Sequence, residues 1–221
     1  MQDTWTQVDH YFGGHLVSSD PAFEAVLRAN REAGLPAIDL TPLQGKFLHL
    51  LARICGGRRI LEVGTLGGYS TLWLARALPP DGVLITLERN PDHARVARSN
   101  LQQAGVMDRI DLRLGPAAET LRELVDAHLA PFDFIFLDAD KASLSEYLDW
   151  SLKLARTGTI IVADNVVREG KVLDAASDDH DVQGVRRLTE RLAAEPRLSS
   201  TVLQTVGIKG YDGFALAVVV A

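Results

Sequence analysis

The sequence has very little cysteine: Cys55 is the only one among 221 residues. One thiol cannot form an intrachain disulfide or a cysteine-based metal site, and such sparing use is typical of a reducing compartment. No apolar run reaches the roughly 18 residues that a membrane-spanning helix requires, and the first residues show neither the basic nor the apolar region of a signal peptide. The sequence therefore predicts a cytoplasmic protein without a membrane-spanning segment.

Long runs of like charge are also missing. The chain has 23 Lys and Arg residues against 29 Asp and Glu residues, which gives a formal net charge of −6. An acidic chain without a basic patch is a poor binder of nucleic acid, and this balance favours small molecules as partners. Because hydrophobic residues make up 47% of the chain, enough for one substantial core, we expect residues 1–221 to form a single domain.

Strand patterns are absent from residues 1–57. The pattern there predicts three helices instead, at residues 5–12, 21–33 and 42–55. Asp20 and Thr41 each precede a proline, and such a pair is typical of an N-cap followed by the first turn of a helix. This helical region is expected to serve as a lid over a binding site, an oligomer surface or a plain structural extension, and the sequence leaves these three roles open.

From residue 59 onward, short apolar runs alternate with helical patterns, which is typical of a doubly wound parallel sheet. The predicted strands of this section are residues 59–63, 83–88, 110–114, 132–138 and 159–164. The predicted helices are residues 70–78, 91–104, 117–127, 144–154 and 183–194. Two β-rich runs follow, at 199–206 and 214–220, and the glycine-containing link at 209–213 predicts that they form an antiparallel pair at one sheet edge.

Three glycines follow the first strand, in the segment Ile-Leu-Glu-Val-Gly-Thr-Leu-Gly-Gly-Tyr-Ser at residues 60–70. A glycine turn between a strand and a helix lets a cofactor approach the backbone and meet the free N–H groups of the helix N-terminus. A dinucleotide fingerprint that started at Gly64 would need glycine at positions 66 and 69, where the chain has other residues. Glu62 suits a cofactor with a cationic amino-acid end, and Glu88, at the end of the second strand, suits the two hydroxyls of a ribose.

Polar side chains end several of the predicted strands. In an open α/β sheet, ligands collect at the carboxyl ends of the strands, and like charges crowded there repel unless they share a cation. Asp138, Asp164 and Asn165 offer the hard oxygen ligands that Mg²⁺ prefers. The alternative is that Asp164 and Asn165 only cap a turn and that Asp138 only caps a helix. The polar residues at this rim are Glu62, Glu88, Asp138, Asp140, Asp164 and Asn165.

Lys141 comes three residues after Asp138, about one helical turn along, so its amine is expected beside the cation site. A buried lysine beside a divalent cation releases its proton more readily and can act as a general base. The alternative is a solvated lysine in the first turn of a helix. Tyr147 and Trp150, at helical spacing, could line an aromatic substrate mouth, although packing is the commoner role for such residues. The six histidines show no ligand spacing.

Three motifs stand in the order and spacing of a known family. They are Glu-Val-Gly-Thr-Leu-Gly-Gly-Tyr-Ser at 62–70, Phe-Asp-Phe-Ile-Phe-Leu-Asp-Ala-Asp-Lys at 132–141 and Ala-Asp-Asn at 163–165. Together they resemble the cation-dependent O-methyltransferases of the caffeoyl-CoA and catechol type, above all the bacterial members. The resemblance, from about residue 44 to the C-terminus, implies a class I methyltransferase fold. That fold is a Rossmann-like sheet of seven strands, mostly parallel with an antiparallel C-terminal pair, with N-terminal helices, in a protein that is usually a homodimer.

The resemblance also assigns roles to individual residues. It implies S-adenosyl-L-methionine as the methyl donor, a divalent cation such as Mg²⁺, and Lys141 as the general base. The implied cation ligands are Asp138, Asp164 and Asn165. The residues that would surround the methyl donor are Leu40 (through its backbone), Glu62, Gly64, Thr65, Ser70, Glu88, Ala117 and Asp140.

The implied reaction is metal-assisted methyl transfer to one of two vicinal hydroxyls on a small aromatic molecule. The chain departs from many family members at Leu144, Arg168 and Glu169, and all three positions are expected on the acceptor side. Caffeoyl-CoA is therefore not assumed as the acceptor. The alternatives that remain open are a tRNA hydroxyuridine-type O-methyltransferase with the same metal site, a non-catalytic cofactor-binding protein and a nicotinamide oxidoreductase.

Overall fold

One sheet organises the residues that the computed structural model describes, which are 1–17, 19–129 and 131–221. Within them seven strands form this sheet: β1 (Arg59–Val63), β2 (Val83–Glu88), β3 (Ile110–Leu114), β4 (Phe132–Leu137), β5 (Ala155–Asp164), β6 (Leu198–Gly207) and β7 (Gly210–Val219). Their order across the sheet is β3-β2-β1-β4-β5-β7-β6. The first five strands pair in parallel, whereas β7 pairs antiparallel to both β5 and β6. The predicted sheet, with its antiparallel pair at one edge, is confirmed.

Helices cover both faces of the sheet. They are α1 (Gln2–Leu16), α2 (Pro21–Glu32), α3 (Pro42–Ile54), α4 (Tyr69–Ala77), α5 (Pro91–Gln103), α6 (Ala117–Asp126), α7 (Leu144–Leu154) and α8 (His180–Ala194). Short 3₁₀ turns occur at Met107–Arg109, Lys141–Ser143 and Arg168–Leu173. None of the helices in the described residues is long and apolar enough to cross a membrane.

The strand β4 forms the centre of the core because all six of its residues are buried. Its side chains alternate between the two faces of the sheet. Phe134 and Phe136 pack in the cluster that includes α2, α3, α4 and α5, whereas Ile135 and Leu137 pack in the cluster that includes α6, α7 and α8. This burial on both faces explains why the strand is a nearly continuous apolar run rather than an alternating one.

The second and third N-terminal helices begin where the sequence predicts, whereas the first begins three residues earlier. The Asp20 side chain accepts a hydrogen bond from the Ala22 amide at 2.9 Å, and Thr41 forms a capping box with Gln44. The helix α1 is longer than predicted. In α2, the ring of Phe23 stacks on that of Trp73 in α4, with 3.9 Å between the ring centroids, so this region is joined to the core on one face of the sheet.

The link between β6 and β7 is shorter than predicted. The pairing continues to Gly207 opposite Gly210, so that only two residues form the turn and residues 210–213 belong to the strand. The prediction of a link at 209–213 is therefore wrong, because it assigned the glycines of this segment to the turn. Gly213 is needed within the strand, where an added Cβ would overlap the Leu203 carbonyl oxygen and lie 2.7 Å from a Val167 methyl group.

Candidate active site

A cavity of about 660 Å³ lies at the carboxyl ends of the parallel strands, where β1 stands between β2 and β4. Ligands of open α/β sheets collect at this edge. Neighbouring turns meet here through the backbone, since the Asp138 amide donates to the Val63 carbonyl at 2.8 Å. The predicted site residues that line the cavity are Leu40, Gly64, Thr65, Ser70, Glu88, Ala117, Asp138, Asp140, Lys141 and Asn165. The other two, Glu62 and Asp164, are buried, with 0% and 3% of their surface exposed.

The glycine turn after β1 is shaped by neighbouring protein groups. Gly64 has φ of 103°, and an added Cβ would overlap the carbonyl oxygen of Asp138. A Cβ at Gly67 would overlap the side-chain oxygen of Asn30, which is itself held by Asn100 at 3.0 Å. The sequence predicts glycine here for the approach of a cofactor, and the structure adds that two of these glycines are required by contacts within the protein.

Glu62 lies fully buried beneath this turn. Its Oε2 accepts hydrogen bonds from the hydroxyls of Thr71 at 2.5 Å and Thr86 at 2.7 Å, while its Oε1 has no hydrogen-bond partner among the described residues. Burial raises the pKa of the carboxyl to about 7, although hydrogen bonds from nearby hydroxyls act to lower it. A buried acceptor without a partner costs free energy, and a cationic donor that reached Glu62 would relieve that cost.

Glu88 ends β2 and is held by backbone amides. Its Oε2 accepts from the amides of Thr65 at 3.3 Å and Leu66 at 2.9 Å, and its Oε1 accepts from the Asn90 amide at 2.8 Å. These bonds fix the carboxylate at the cavity wall. The Nδ1 of His93 lies 3.6 Å from Glu88 Oε1. His93 also lines the cavity, and it was not predicted because its place in the first turn of α5 gives no sign of a ligand role.

Asp140 is oriented by a residue that the sequence indicated only as a packing residue or a possible part of the substrate mouth. The hydroxyl of Tyr147 donates to Asp140 Oδ2 at 2.6 Å, and the Ser143 amide donates to Oδ1 at 3.1 Å. Burial, followed by Asp140, raises the pKa of the Tyr147 phenol, which therefore remains a donor at neutral pH. Tyr147 is both buried and part of the cavity wall. Its spacing, seven residues or two helical turns after Asp140, is the signal that could have indicated this contact.

The residues predicted to bind a cation and to accept a proton lie together. Lys141 is 6% exposed, and its Nζ donates to Asp138 Oδ1 at 2.8 Å, so it is a buried, paired lysine rather than a solvated one. Burial, and then the charge of Asp138, raise the pKa of Asp164 to about 7, whereas Lys141 lowers it. Asp164 also accepts from the Asn165 amide at 2.7 Å, so the turn-capping role left open by the sequence is present as well.

This donor set fits a hard divalent cation. Two carboxylates and an amide supply oxygen ligands only, which suits Mg²⁺ with water molecules completing its shell. In the described residues no group of three or more His, Cys, Asp or Glu side chains could hold a metal, so a softer, histidine- or cysteine-rich centre is not formed there. Asp164 is buried and Asp138 is half-buried, and a cation would offset the repulsion between their carboxylates.

The chain was then compared with known proteins. A family model described as O-methyltransferase matches residues 16–218. The chain belongs to the O-methyltransferase family. A catechol O-methyltransferase of Niastella koreensis is 52% identical to it over 212 residues, which are 96% of each protein.

Solved structures agree with the assignment of this chain to the O-methyltransferase family. The O-methyltransferase from Bacillus cereus in complex with SAH is 54% identical and superposes with a TM-score of 0.97 over 99% of this chain and 100% of that one. The O-methyltransferase TomG from Streptomyces achromogenes, involved in tomaymycin synthesis and solved with SAM, is 49% identical with a TM-score of 0.96. That alignment covers 100% of this chain and 99% of TomG. The predicted family, fold class and enzyme type are confirmed.

The three departures from the family differ in where they lie in this O-methyltransferase. Leu144 is fully buried in the core, and Glu169 is exposed beside Lys171. Neither lines the cavity, so the expectation that they contribute to the acceptor side is not supported by their positions. Arg168 does line it, and its guanidinium pairs with Asp181 at 3.2 Å. Arg168 is therefore the one departure of the three that lines the cavity.

The raised pKa of Glu62 predicts a pH dependence of stability in the ligand-free protein. Between the ordinary value of 4.5 and about 7, the folded protein holds a proton that the unfolded chain has lost, so stability falls as the pH rises through this window. From pH 4.5 to 7.5 the free energy of unfolding should fall by about 2–3 kcal/mol more in the wild type than in Glu62→Gln. Urea unfolding at several pH values measures this difference.

Glu190→Gln, at an exposed position of α8, is the matched control, and its pH profile should follow that of the wild type. If the profile of Glu62→Gln ran parallel to both, the proposed titration of Glu62 would be wrong.

Proposed function

We propose that this O-methyltransferase uses S-adenosyl-L-methionine and a divalent cation, Mg²⁺ by its ligand chemistry, to methylate one of two vicinal hydroxyls on a small aromatic molecule. The observation that carries the proposal is the ion pair between buried Lys141 and half-buried Asp138, which opens into the same cavity as the glycine turn. The name of the Niastella relative and the SAH and SAM of the solved structures support the substrate and the methyl donor.

The methyl donor is proposed to bind along the turns that follow β1, β2 and β3. The unpartnered Oε1 of Glu62 suits its ammonium group, and the fixed carboxylate of Glu88 suits its ribose hydroxyls. Ala117, at the start of α6, would border the adenine. Asp140, oriented by Tyr147, would face the donor from the β4 side. The remaining proposed contacts are Leu40, Gly64, Thr65 and Ser70.

The acceptor is proposed to bind beside Asp138, Asp164 and Asn165, which would hold the cation. When bound, the cation supplies a Lewis acid that makes an acceptor hydroxyl easier to deprotonate. Lys141 and a cation compete for the Asp138 carboxylate, so a loaded site would leave the Lys141 amine free to reach the acceptor. A cavity that holds both reactants in line supplies much of the rate by positioning alone.

The proposed reaction balances as a simple substitution. Lys141 first releases its own proton to water, and the neutral amine then takes the proton of the acceptor hydroxyl. The acceptor oxygen forms a bond to the methyl carbon as the bond from that carbon to the sulfonium sulfur breaks. The positive charge of the sulfonium is thereby replaced by that of the Lys141 ammonium. A methyl ether and S-adenosylhomocysteine leave, and Lys141 is protonated again as at the start.

Removal of the divalent cation tests the metal requirement. EDTA should abolish methylation of a catechol such as 3,4-dihydroxybenzoate, and added Mg²⁺ should restore it, because the acceptor hydroxyl is no longer acidified without the cation. Product mass measures turnover, and calorimetry with S-adenosylhomocysteine should show that donor binding survives EDTA. Methylation at an undiminished rate in EDTA would contradict the proposal, as would methylation of bulk tRNA without turnover of any catechol.

Substitution of Lys141 tests the proton acceptor. Lys141→Met should lower kcat by about 100-fold or more, since a positioned general base contributes roughly that much, while the Kd for S-adenosylhomocysteine stays within about twofold. Steady-state kinetics and calorimetry measure the two quantities. Lys153→Met, at an exposed position of α7, is the control and should keep wild-type kcat. If Lys141→Met kept nearly full kcat, Lys141 would not be the proton acceptor.

We also propose that the protein is a homodimer through its N-terminal region. The helix α1 has no buried residue along its 15 positions, although it carries large exposed apolar side chains. The neighbouring β6 is an edge strand with exposed apolar residues of its own. Exposed apolar surface of this kind favours association. The residues concerned are Val8, Tyr11, Phe12, Leu16, Val202, Leu203 and Val206.

Light scattering after size-exclusion chromatography tests the dimer. The wild type should elute with twice the chain mass of 24.1 kDa, and the double variant Tyr11→Glu, Phe12→Glu should be monomeric because two charges would enter the interface. Gln102→Glu, at an exposed position of α5, should remain dimeric. A wild-type protein that is monomeric at micromolar concentration would contradict this part of the proposal.

A further inference from the structure

The tip of the β6–β7 hairpin, residues 207–213, touches three segments that are distant in sequence. It is first held by α1, where the Gln2 side chain donates to the Gly207 carbonyl at 2.9 Å and Asp9 accepts from the Ile208 amide at 2.8 Å. Gly207 has no space for a side chain, because a Cβ would overlap the Asp9 carboxylate. The hairpin tip is therefore fixed from outside the sheet as well as by its own strand pairing.

One residue of the hairpin tip reaches the wall formed by the N-terminal region. The Nζ of Lys209 donates to the carbonyl of Ile38 at 2.9 Å and to that of Asp39 at 2.6 Å. Ile38, Asp39 and Leu40 line the cavity. On its other side the segment is held by a bond from Asn30 Nδ2 to Asp39 Oδ1 at 2.9 Å and by the burial of Leu40 in the core. Lys209 thus ties together two segments about 170 residues apart.

A second residue of the tip reaches the wall that follows β5. The Asp212 Oδ1 accepts from the amides of Val167 at 2.9 Å and Arg168 at 3.0 Å, and also from the amide of Gly213 at 3.0 Å. Gly213 adds a backbone bond, since its carbonyl accepts from the Val166 amide at 3.1 Å. One carboxylate oxygen therefore gathers three amides of two separate segments.

The segment that Asp212 holds is in a conformation that needs such support. Asn165 and Arg168 have φ of 58° and 55°, in the left-handed region that is costly for arginine and better tolerated by asparagine. Both line the cavity. Without the bonds to Asp212, the backbone at Arg168 would be free to relax to an ordinary φ, and the side chains of Asn165 and Arg168 would then move relative to Asp138.

We propose that Lys209 and Asp212 are positioning residues for the two walls of the active site. Lys209 sets the position of segment 38–40 against the methyl donor, and Asp212 sets the positions of Asn165 and Arg168 against the cation and the acceptor. The inference rests on the proposed function, because it takes the two walls to serve the donor and the acceptor. Lys209 and Asp212 lie only three positions apart, yet each positions the wall for a different ligand.

The test compares Lys209→Met and Asp212→Ala in the full-length protein. Lys209→Met should raise the Kd for S-adenosylhomocysteine about 5- to 10-fold, measured by calorimetry without metal. It should not weaken Mn²⁺ binding, because the positive charge it removes lies near Asp164 and opposes a cation there. Asp212→Ala should raise the Kd for Mn²⁺, measured by electron paramagnetic resonance, about tenfold, as expected when a supporting contact of a metal ligand is lost. It should also shift the ratio of the two monomethyl ethers formed from 3,4-dihydroxybenzoate by about threefold or more.

Conservative variants separate positioning from stability. Lys209→Arg can still donate to two carbonyls, so its Kd for S-adenosylhomocysteine should be close to that of the wild type, unlike that of Lys209→Met. Asp212→Asn can still accept hydrogen bonds from the three amides, so its Kd for Mn²⁺ should be close to that of the wild type, unlike that of Asp212→Ala. If Asp212→Ala does not fold, Asp212→Glu keeps the carboxylate but displaces it by one methylene, and it should shift the product ratio in the same assay. A purely structural role would lower the melting temperature and leave both Kd values and the product ratio as in the wild type.

The outcomes distinguish this inference from the proposed function. A wild-type protein that binds neither S-adenosylhomocysteine nor Mn²⁺ would overturn the proposed function and the inference with it. A wild type that binds both, together with variants that change the two affinities alike or not at all, would overturn the inference alone.

Discussion

The active site depends on one close backbone contact, in which the turn after β1 lies against the turn after β4. Gly64 has no room for a side chain because the carbonyl of Asp138 occupies that space, and the Asp138 amide in turn donates to the Val63 carbonyl at 2.8 Å. These two turns carry the groups proposed for the two reactants. The contact therefore fixes the separation between the donor side and the acceptor side before any ligand binds, and this preorganisation is what a reaction governed by positioning requires.

Charge is the second constraint, and it follows from the first. When strand ends are brought this close, their carboxylates are crowded and lose water, and burial raises the pKa of both Glu62 and Asp164 to about 7. A protein selected only for stability would place apolar residues at such positions. The crowding makes sense if cations enter the site, one beside each buried carboxyl. The ligand-free protein would then carry an unfavourable charge arrangement that binding relieves.

Local sequence signals predicted much of the fold and the grouping of the site. The caps at Asp20 and Thr41 and the bounds of α7 depend on neighbouring residues, so they could be read from the chain. The link between β6 and β7 was misplaced because glycine indicates a turn as readily as a close approach, and Gly213 serves the second purpose. The contact of Tyr147 with Asp140 was not predicted for a similar reason. Helical spacing alone does not distinguish a packing residue from one whose hydroxyl donates a hydrogen bond to Asp140.

A deeper limit concerns contacts in which a side chain binds a distant backbone. Motifs identify residues whose side chains meet ligands, because their chemistry is specific, whereas backbone amides and carbonyls are the same at every position. Nothing in the sequence near Arg168 indicates that its amide is held by Asp212, 44 residues later, or that the backbone there is left-handed. The motifs proposed for the methyl donor were visible in the sequence, whereas the bonds from Lys209 that hold segment 38–40 were not. On the side proposed for the acceptor, Asp138, Lys141, Asp164 and Asn165 were visible as well, whereas the bonds from Asp212 to the amides of Val167 and Arg168 were not.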